Sequence, residues 1–340
     1  MKVGWLGILA LLVSLYILWR IRQVLLLLLV AIVLATTLNR LVQRLQKFGV
    51  DRGSAVSIAI LSFFILVTSF IGLVVPPFVE ESQKFVALFP EIINEAETQL
   101  EGLKIRIPGQ WAEDIQLMEL LVQQSQPLVK HIFDHVFLWI SDLLSIILKL
   151  VLVLVLTVML LANPQQYRQP FIRLFPAFYR SRVNDILTQC ETDLGGWMTA
   201  TFITMVVISL LSGLGLWILG VPLGLSSALW AGFCELIPNI GYIAAMFPPL
   251  AIALLDAPWK ALPIAGLYFL IQQLESYVIV PWVMKEHVSL PPAITLLSQI
   301  VFATFFGVIG LFLALPLVII TKIWIREALV KDVFDQWQQP

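Results

Sequence analysis

Charge is what this chain has least of. Only 13 % of its 340 residues are Asp, Glu, Lys or Arg, and 59 % are hydrophobic, where a soluble domain carries about 25 % charged residues. With long uncharged runs, that deficit excludes an ordinary soluble enzyme and indicates a polytopic membrane protein. Cysteine is almost missing. Cys190 and Cys234 are the only two, and neither their spacing nor their context points to a bridge or a thiolate metal site. Catalytic signatures are missing as well. There is no glycine-rich phosphate loop with its lysine, no HExxH and no GxSxG, so we expect neither an enzyme nor a resident cofactor or metal. No nucleic-acid partner is expected. Lys2 and the apolar run to Trp19 resemble a signal peptide, but no small-residue cleavage site follows, and we read an uncleaved membrane helix.

What is present is a succession of apolar runs near the ~20 residues needed to cross a bilayer. The expected fold is all-α, with about eight transmembrane helices, broken helices in the C-terminal half and an extramembrane amphipathic helical hairpin. Residues 1–77 hold spans one to three. The first two, 3–19 and 24–38, are separated only by Arg20, Ile21, Arg22 and Gln23. They read as two short spans, the alternative being one long tilted helix. A basic loop with Arg40, Arg44, Lys47 and Arg52 follows, and the third span, 54–75, is expected to end at Pro76-Pro77. In 78–135, ten carboxylates stand against four basic residues. Apolar residues recur there three and four apart, at Phe85, Phe89, Ile92, Ala96, Leu100 and Leu103 and again at Ile115, Met118, Val122, Val129, Ile132 and Val136. That pattern predicts two amphipathic helices outside the bilayer.

Span four, 136–162, contains Lys149 and ends at Asn163-Pro164. Residues 163–197 form a cytoplasmic, interfacial segment. Aromatics there alternate with Arg168, Arg173, Arg180 and Arg182, and Val183, Ile186, Cys190, Leu194 and Trp197 make one apolar helix face. Residues 198–325 hold spans five to eight: 198–219, 225–255, 261–283 and 293–324. A turn at Gly220-Val221-Pro222-Leu223-Gly224 separates the first pair. The tail, 326–340, is polar. Basic connections after spans two and four put both termini, 39–53 and 163–197 in the cytoplasm.

Two stretches carry polar chemistry inside this apolar frame. ELIPNIGYIAAMFPP, from Glu235 to Pro249, sets a carboxylate, an asparagine, a glycine and three prolines in the middle of span six. Backbone polar groups in hydrocarbon must be satisfied internally, and proline removes a donor. Such a break therefore needs a protein- or water-lined surrounding. QQLESYVIVP in span seven supplies Gln272, Glu275, Ser276 and a second break at Pro281. Spacings of three and four put Gln272, Glu275 and Ser276 on one face. An intramembrane carboxylate is costly, ~3 kcal/mol at a helix centre even on insertion scales. Broken helices offer dipoles and free carbonyls to ligands. Candidate solute- or ion-path residues are thus Glu235, Pro238, Asn239, Gly241, Gln272, Glu275, Ser276 and Pro281. The competing reading is that they only hydrogen-bond adjacent helices together. Lys149 is a secondary candidate, as an intramembrane ion or as a snorkelling side chain. His131 and His135 lie four apart around Asp134, but two ligands make no metal site. Gly307, Gly310 and Ala314 in span eight suit close helix packing.

LGVPLGLSSALWAGFCELIPNIGYI and ESYVIVPWVMKEHVSLPPAITLLSQIVFATFFGVIGLFLALPL, with the order of apolar half, acidic segment and glycine- and proline-rich half, resemble the autoinducer-2 exporter family of bacterial permease-like membrane proteins. The resemblance covers nearly the whole chain. At the sixth-span break the family often has an aromatic and then Gly-Pro, where this chain has Asn239 and Tyr242. The resemblance implies a multi-pass, homo-oligomeric transporter of the bacterial plasma membrane. Its partners would be the lipid bilayer, a small solute and protons or sodium. It would export a signalling molecule or exchange sodium or lithium for protons. A passive channel and an oligomeric scaffold without transport are the alternatives.

Overall fold

A computed structural model describes residues 12–14, 16–106, 143–256, 258–283 and 291–328, and no strand occurs among them. The acidic return arm 107–135 with His131 and His135, the first part of span four, Lys285 and the tail beyond 328 lie outside the described residues. The helices are α1 (Arg22–Lys47), α2 (Arg52–Arg106), α3 (Leu143–Ala162), α4 (Pro164–Arg173), α5 (Arg180–Ile218), α6 (Gly224–Cys234), α7 (Gly241–Asp256), α8 (Ala261–Leu274), α9 (Val280–Val283) and α10 (Pro292–Trp324). Among the described residues, five helices are long and apolar enough to cross a membrane, or six if α3 and α4, bent by 86° at Asn163, form one span. The fold is all-α and polytopic, as expected, but the count of eight is not confirmed.

Several expected boundaries are absent. Ile21 N–H donates to the Ile17 carbonyl at 2.9 Å, and Leu25 N–H to the Ile21 carbonyl at 3.1 Å. Helical hydrogen bonding thus runs through Arg20-Ile21-Arg22, so the described residues 16–47 show no loop at the expected boundary. α1 then continues to Lys47, so most of the expected basic loop is helix. The apolar stretch of the third span, Arg52–Pro77, does end at Pro76-Pro77, but the helix does not: α2 runs 55 residues, about 80 Å at ~1.5 Å per residue. Membrane helices tolerate such prolines when neighbouring groups re-satisfy the freed carbonyls. The amphipathic helix at 183–197 and span five are likewise one 39-residue helix, α5.

The chain divides into two compact units. The first comprises residues 1–66, 148–203 and 279–340. The face of α5 read from the sequence is its core: Ile186, Cys190, Leu194 and Trp197 pack with Val33 of α1 and Leu315, Ile319 and Ile323 of α10. A second cluster joins Leu38 and Val42 of α1, Ala55, Val56 and Ala59 of α2 and Leu161 of α3. Arg52 caps α3, donating to the carbonyls of Ala162 (3.1 Å) and Leu161 (3.0 Å). Arg40 donates to Thr199 Oγ1 (3.0 Å) and the Thr192 carbonyl (2.9 Å), a path that Gly195 leaves open for want of a Cβ. Arg168 pairs with Glu191 at 3.4 Å. The two basic connections thus meet directly. At the start of α2, the Ser54 N–H donates to the Asp51 carboxylate at 3.0 Å, which holds the Asp51 pKa below its ordinary value.

α10 differs from a straight eighth span. Gly307 sits at φ 64°, ψ −147°, a region essentially restricted to glycine. A Cβ on Gly310 would strike the Phe302 carbonyl, although residues eight apart in a straight helix are ~12 Å apart. The chain therefore reverses at Gly307, which acts as a turn and not as part of a smooth packing stripe.

The second unit comprises residues 67–147 and 204–278. Here α6 and α7 replace the expected sixth span. They are 11 and 16 residues long, about 16 and 24 Å, each short of the ~30 Å hydrocarbon core. Three contacts along their length make them a hairpin. At the tip a Gly241 Cβ would collide with the Cys234 carbonyl. Midway, Trp230 Nε1–H donates to the Ala244 carbonyl at 2.9 Å. At the base Lys260 Nζ donates to the Gly220 carbonyl at 2.7 Å. Entry and exit of 224–256 therefore lie side by side. The turn at 220–224 is as expected, with positive φ at Gly220 and Leu223. α2 flanks the hairpin through Phe70 and Phe233, whose ring centroids are 4.8 Å apart. Ser226 Oγ–H also donates to the Leu73 carbonyl at 3.1 Å.

Candidate functional site: a carboxyl pair at a hairpin tip

The hairpin tip is Glu235–Ile240. α6 closes there in tight turns, with N–H groups of Glu235, Leu236 and Ile237 donating three residues back. Asn239 takes φ 67°, a left-handed conformation that asparagine tolerates better than most residues. Gly241 is buried, and its missing Cβ lets α7 start against the end of α6. Pro238 and Asn239 are half-buried in this turn. The break stands where the sequence placed it, and of the two forms the sequence leaves open, a kinked span and a re-entrant hairpin, it takes the second.

Opposite stands the helix of residues 261–283. Its irregularity is not at Pro281, as expected, but upstream, where Glu275–Ile279 form a π-helical turn. Proline clashes with the carbonyl four residues before it, here that of Tyr277, and the widened turn absorbs that clash. The helix then continues to Val283. π-turns often mark functional positions.

These two irregularities bring the carboxyl groups of Glu235 and Glu275 together. Each residue is 5 % exposed, and the two carboxyl side chains lie close enough to interact directly. Ionised carboxylates are acceptors only, so a hydrogen bond between the two requires a proton. Glu235 also follows the C-terminal end of α6, where the helix dipole favours positive charge. The pair can therefore hold a proton between two acceptors, or trade it for a small cation. Among the described residues, no group of three His, Cys, Asp or Glu side chains converges as a metal site would require.

The remaining expected residues divide. Gln272 Nε2–H donates to Ser276 Oγ at 3.3 Å, but Ser276 is exposed where Glu275 is buried, so the expected shared face is split. Pro281, exposed, and Lys149, exposed on α3, belong to the first unit and not to the one that holds the pair. Residues outside the expected set stand in the second unit's interior. Tyr268 is 1 % and Ser212 0 % exposed, and the two hydroxyls face one another. Cys234 lies within electrostatic range of both Glu235 and Tyr268. The spacing Tyr268, Gln272, Glu275, four then three, was the available signal, since it lines one helix face.

The sequence profile that describes AI-2E family transporters matches residues 8–329. The chain belongs to the AI-2E transporter family. A relative from Mycobacterium tuberculosis (strain CDC 1551 / Oshkosh), provisionally named transport protein MT0215, is 27 % identical over 300 residues, covering 85 % of this chain and 79 % of its own. The provisionally named permease PerM of Escherichia coli (strain K12) is 26 % identical over 316 residues, 91 % of this chain and 86 % of its own. A shorter match to transport protein YrrI of Bacillus subtilis (strain 168), likewise a provisional name, is 23 % identical over 150 residues and spans 42 % of that protein. Family membership and the apolar helices together make the AI-2E chain a multi-pass membrane protein of a transporter family.

Proposed function

We propose that this AI-2E family member is a secondary transporter, driven by an ion gradient, with Glu235 and Glu275 as the ion-coupling pair. The observation that carries the reading is the close approach of two buried carboxyl side chains at a helix reversal. A structural glue would be cheaper in amides. Carboxyl groups at this depth are retained where protonation changes during the work. Pro238, Asn239 and Gly241 shape the reversal, and Gln272 lines the path beside it. The hairpin 224–256 enters and leaves the bilayer on one face, a construction suited to alternating access around a fixed site. The cargo is a small solute: a signalling molecule exported against protons, or sodium or lithium exchanged for them.

The protein works in the bacterial plasma membrane as a homo-oligomer with its basic segments cytoplasmic. The meeting of the basic segments around Arg40, Arg52 and Arg168 supports a common cytoplasmic side for them. The apolar stripes of 78–135 support self-assembly. Proteoliposomes loaded with a pH-sensitive dye test the transport reading. An outward sodium or lithium gradient, or one of autoinducer-2, should drive proton movement that stops when that gradient is dissipated. Rapid flux indifferent to proton and cation gradients would instead mark a passive channel, and absence of flux with all three solutes would remove the coupling assignment.

A further inference from the structure

Beyond the carboxyl pair, the second unit buries polar atoms that its fold leaves unsatisfied. Tyr268 Oη, Ser212 Oγ and Gln272 Oε1 all lack a hydrogen-bond partner. The two hydroxyls face each other without closing a bond, and Gln272 spends its amide N–H on Ser276. Leaving a buried polar group unpaired costs the desolvation of that group, so three in one place call for a ligand. Tyr268, Gln272 and Glu275 follow one face of the helix at spacings of four and three, a strip of about 10 Å. It begins at the carboxyl pair and runs toward the end of α8 where Lys260 meets Gly220. Ser212 adds a hydroxyl from α5. The chemistry of the set is two groups that both donate and accept, plus one acceptor. That matches water, which needs two to four polar partners, and does not match a dehydrated metal ion, for which there is no charge along the strip.

We propose that Ser212, Tyr268 and Gln272 form a water-binding strip that carries protons to and from the Glu235–Glu275 pair. Each hydroxyl accepts a proton on one side as it releases its own on the other, so no net charge rests on it. Gln272 Oε1 orients the water beside the pair. This rests on the reading of the pair as a proton site and adds its route.

The test needs no cargo. In reconstituted protein, infrared spectroscopy records the protonated carboxyl band of the pair, assigned by its loss in Glu235→Gln. Switching the medium from H₂O to D₂O gives the rate at which that proton exchanges. Tyr268→Phe and Ser212→Ala should each slow exchange at least tenfold. Melting temperature should stay close to wild type, because no protein group loses a hydrogen-bond partner. Wild-type exchange rates in both variants would overturn the strip. So would slowed exchange with a lowered melting temperature in both, which would mark the hydroxyls as structural. If Glu235→Gln removes no carboxyl band, the failure belongs to the pair itself and not to its route.

Discussion

Gly241→Ala and Gly266→Ala make a matched pair of perturbations with opposite expected signs. Both place a methyl group on a helix of the second unit. At Gly266 a Cβ meets nothing within 4 Å, in the interior of α8. Alanine there should be neutral or stabilising by up to ~1 kcal/mol, through helix propensity and reduced freedom of the unfolded chain. At Gly241 the same atom would land on the Cys234 carbonyl. That oxygen is fixed, because it accepts the Ile237 N–H at 3.0 Å, so the start of α7 must move away. Forcing a methyl group into a packed site costs about 1–3 kcal/mol, which outweighs the propensity gain. Because Cys234 directly precedes Glu235, the displacement also separates the carboxyl pair. Reversible unfolding of the purified protein in mixed micelles, scored by tryptophan fluorescence, should rank Gly266→Ala at or above wild type and Gly241→Ala at least ~1 kcal/mol below it. Equal stability of the two variants would refute the closed tip, since an open kink at 235–240 would leave Gly241 as roomy as Gly266.

A double-mutant cycle of Glu235→Ala and Glu275→Ala should return a coupling of about 1.5–3 kcal/mol, the range for a hydrogen bond to a charged group; additivity within ~0.5 kcal/mol would mean the two side chains do not interact. Single cysteines introduced as Leu223→Cys and Trp259→Cys, at the two feet of the hairpin, should react with a membrane-impermeant maleimide from the same side of the bilayer, and labelling from opposite sides would make 224–256 a full span. Gly307→Ala should lower stability by about 1–3 kcal/mol, from its backbone conformation alone, although its Cβ site is empty; an unchanged unfolding midpoint would show that α10 is not reversed there.

What the sequence made legible was composition and periodicity. The all-α membrane class followed from charge scarcity, and the face Val183, Ile186, Cys190, Leu194 and Trp197 is buried throughout, because a 3.6-residue period dictates which side meets the core. Positions of irregularity were legible too: Glu235–Ile240 breaks where Pro238, Asn239 and Gly241 stand together. Their geometric consequence was not. A proline-glycine break permits both a kink and a reversal, and contacts far apart in sequence, such as Lys260 with Gly220, decide between them. The same ambiguity hid the turn at Gly307, where small residues read equally as a packing stripe. Charged interruptions misled in the other direction. Arg20–Arg22 looked like a boundary, yet helical hydrogen bonding continues through it. At the site, Glu235 and Glu275 stood out because carboxylates are rare in apolar runs. Tyr268 and Ser212 did not, because one tyrosine or serine in a membrane helix is unremarkable until its hydroxyl is seen to lack a partner.

The central claim is that the buried pair carries the coupling proton, and flux by Glu235→Gln and Glu275→Gln in oriented proteoliposomes tests it most directly. Glutamine keeps the shape and the hydrogen bond, because its amide N–H can still donate to the remaining carboxylate, but it cannot release a proton. With wild-type amounts in the membrane, both variants should bring gradient-driven proton exchange to the level of empty vesicles. Exchange at the wild-type rate in either variant would contradict the account.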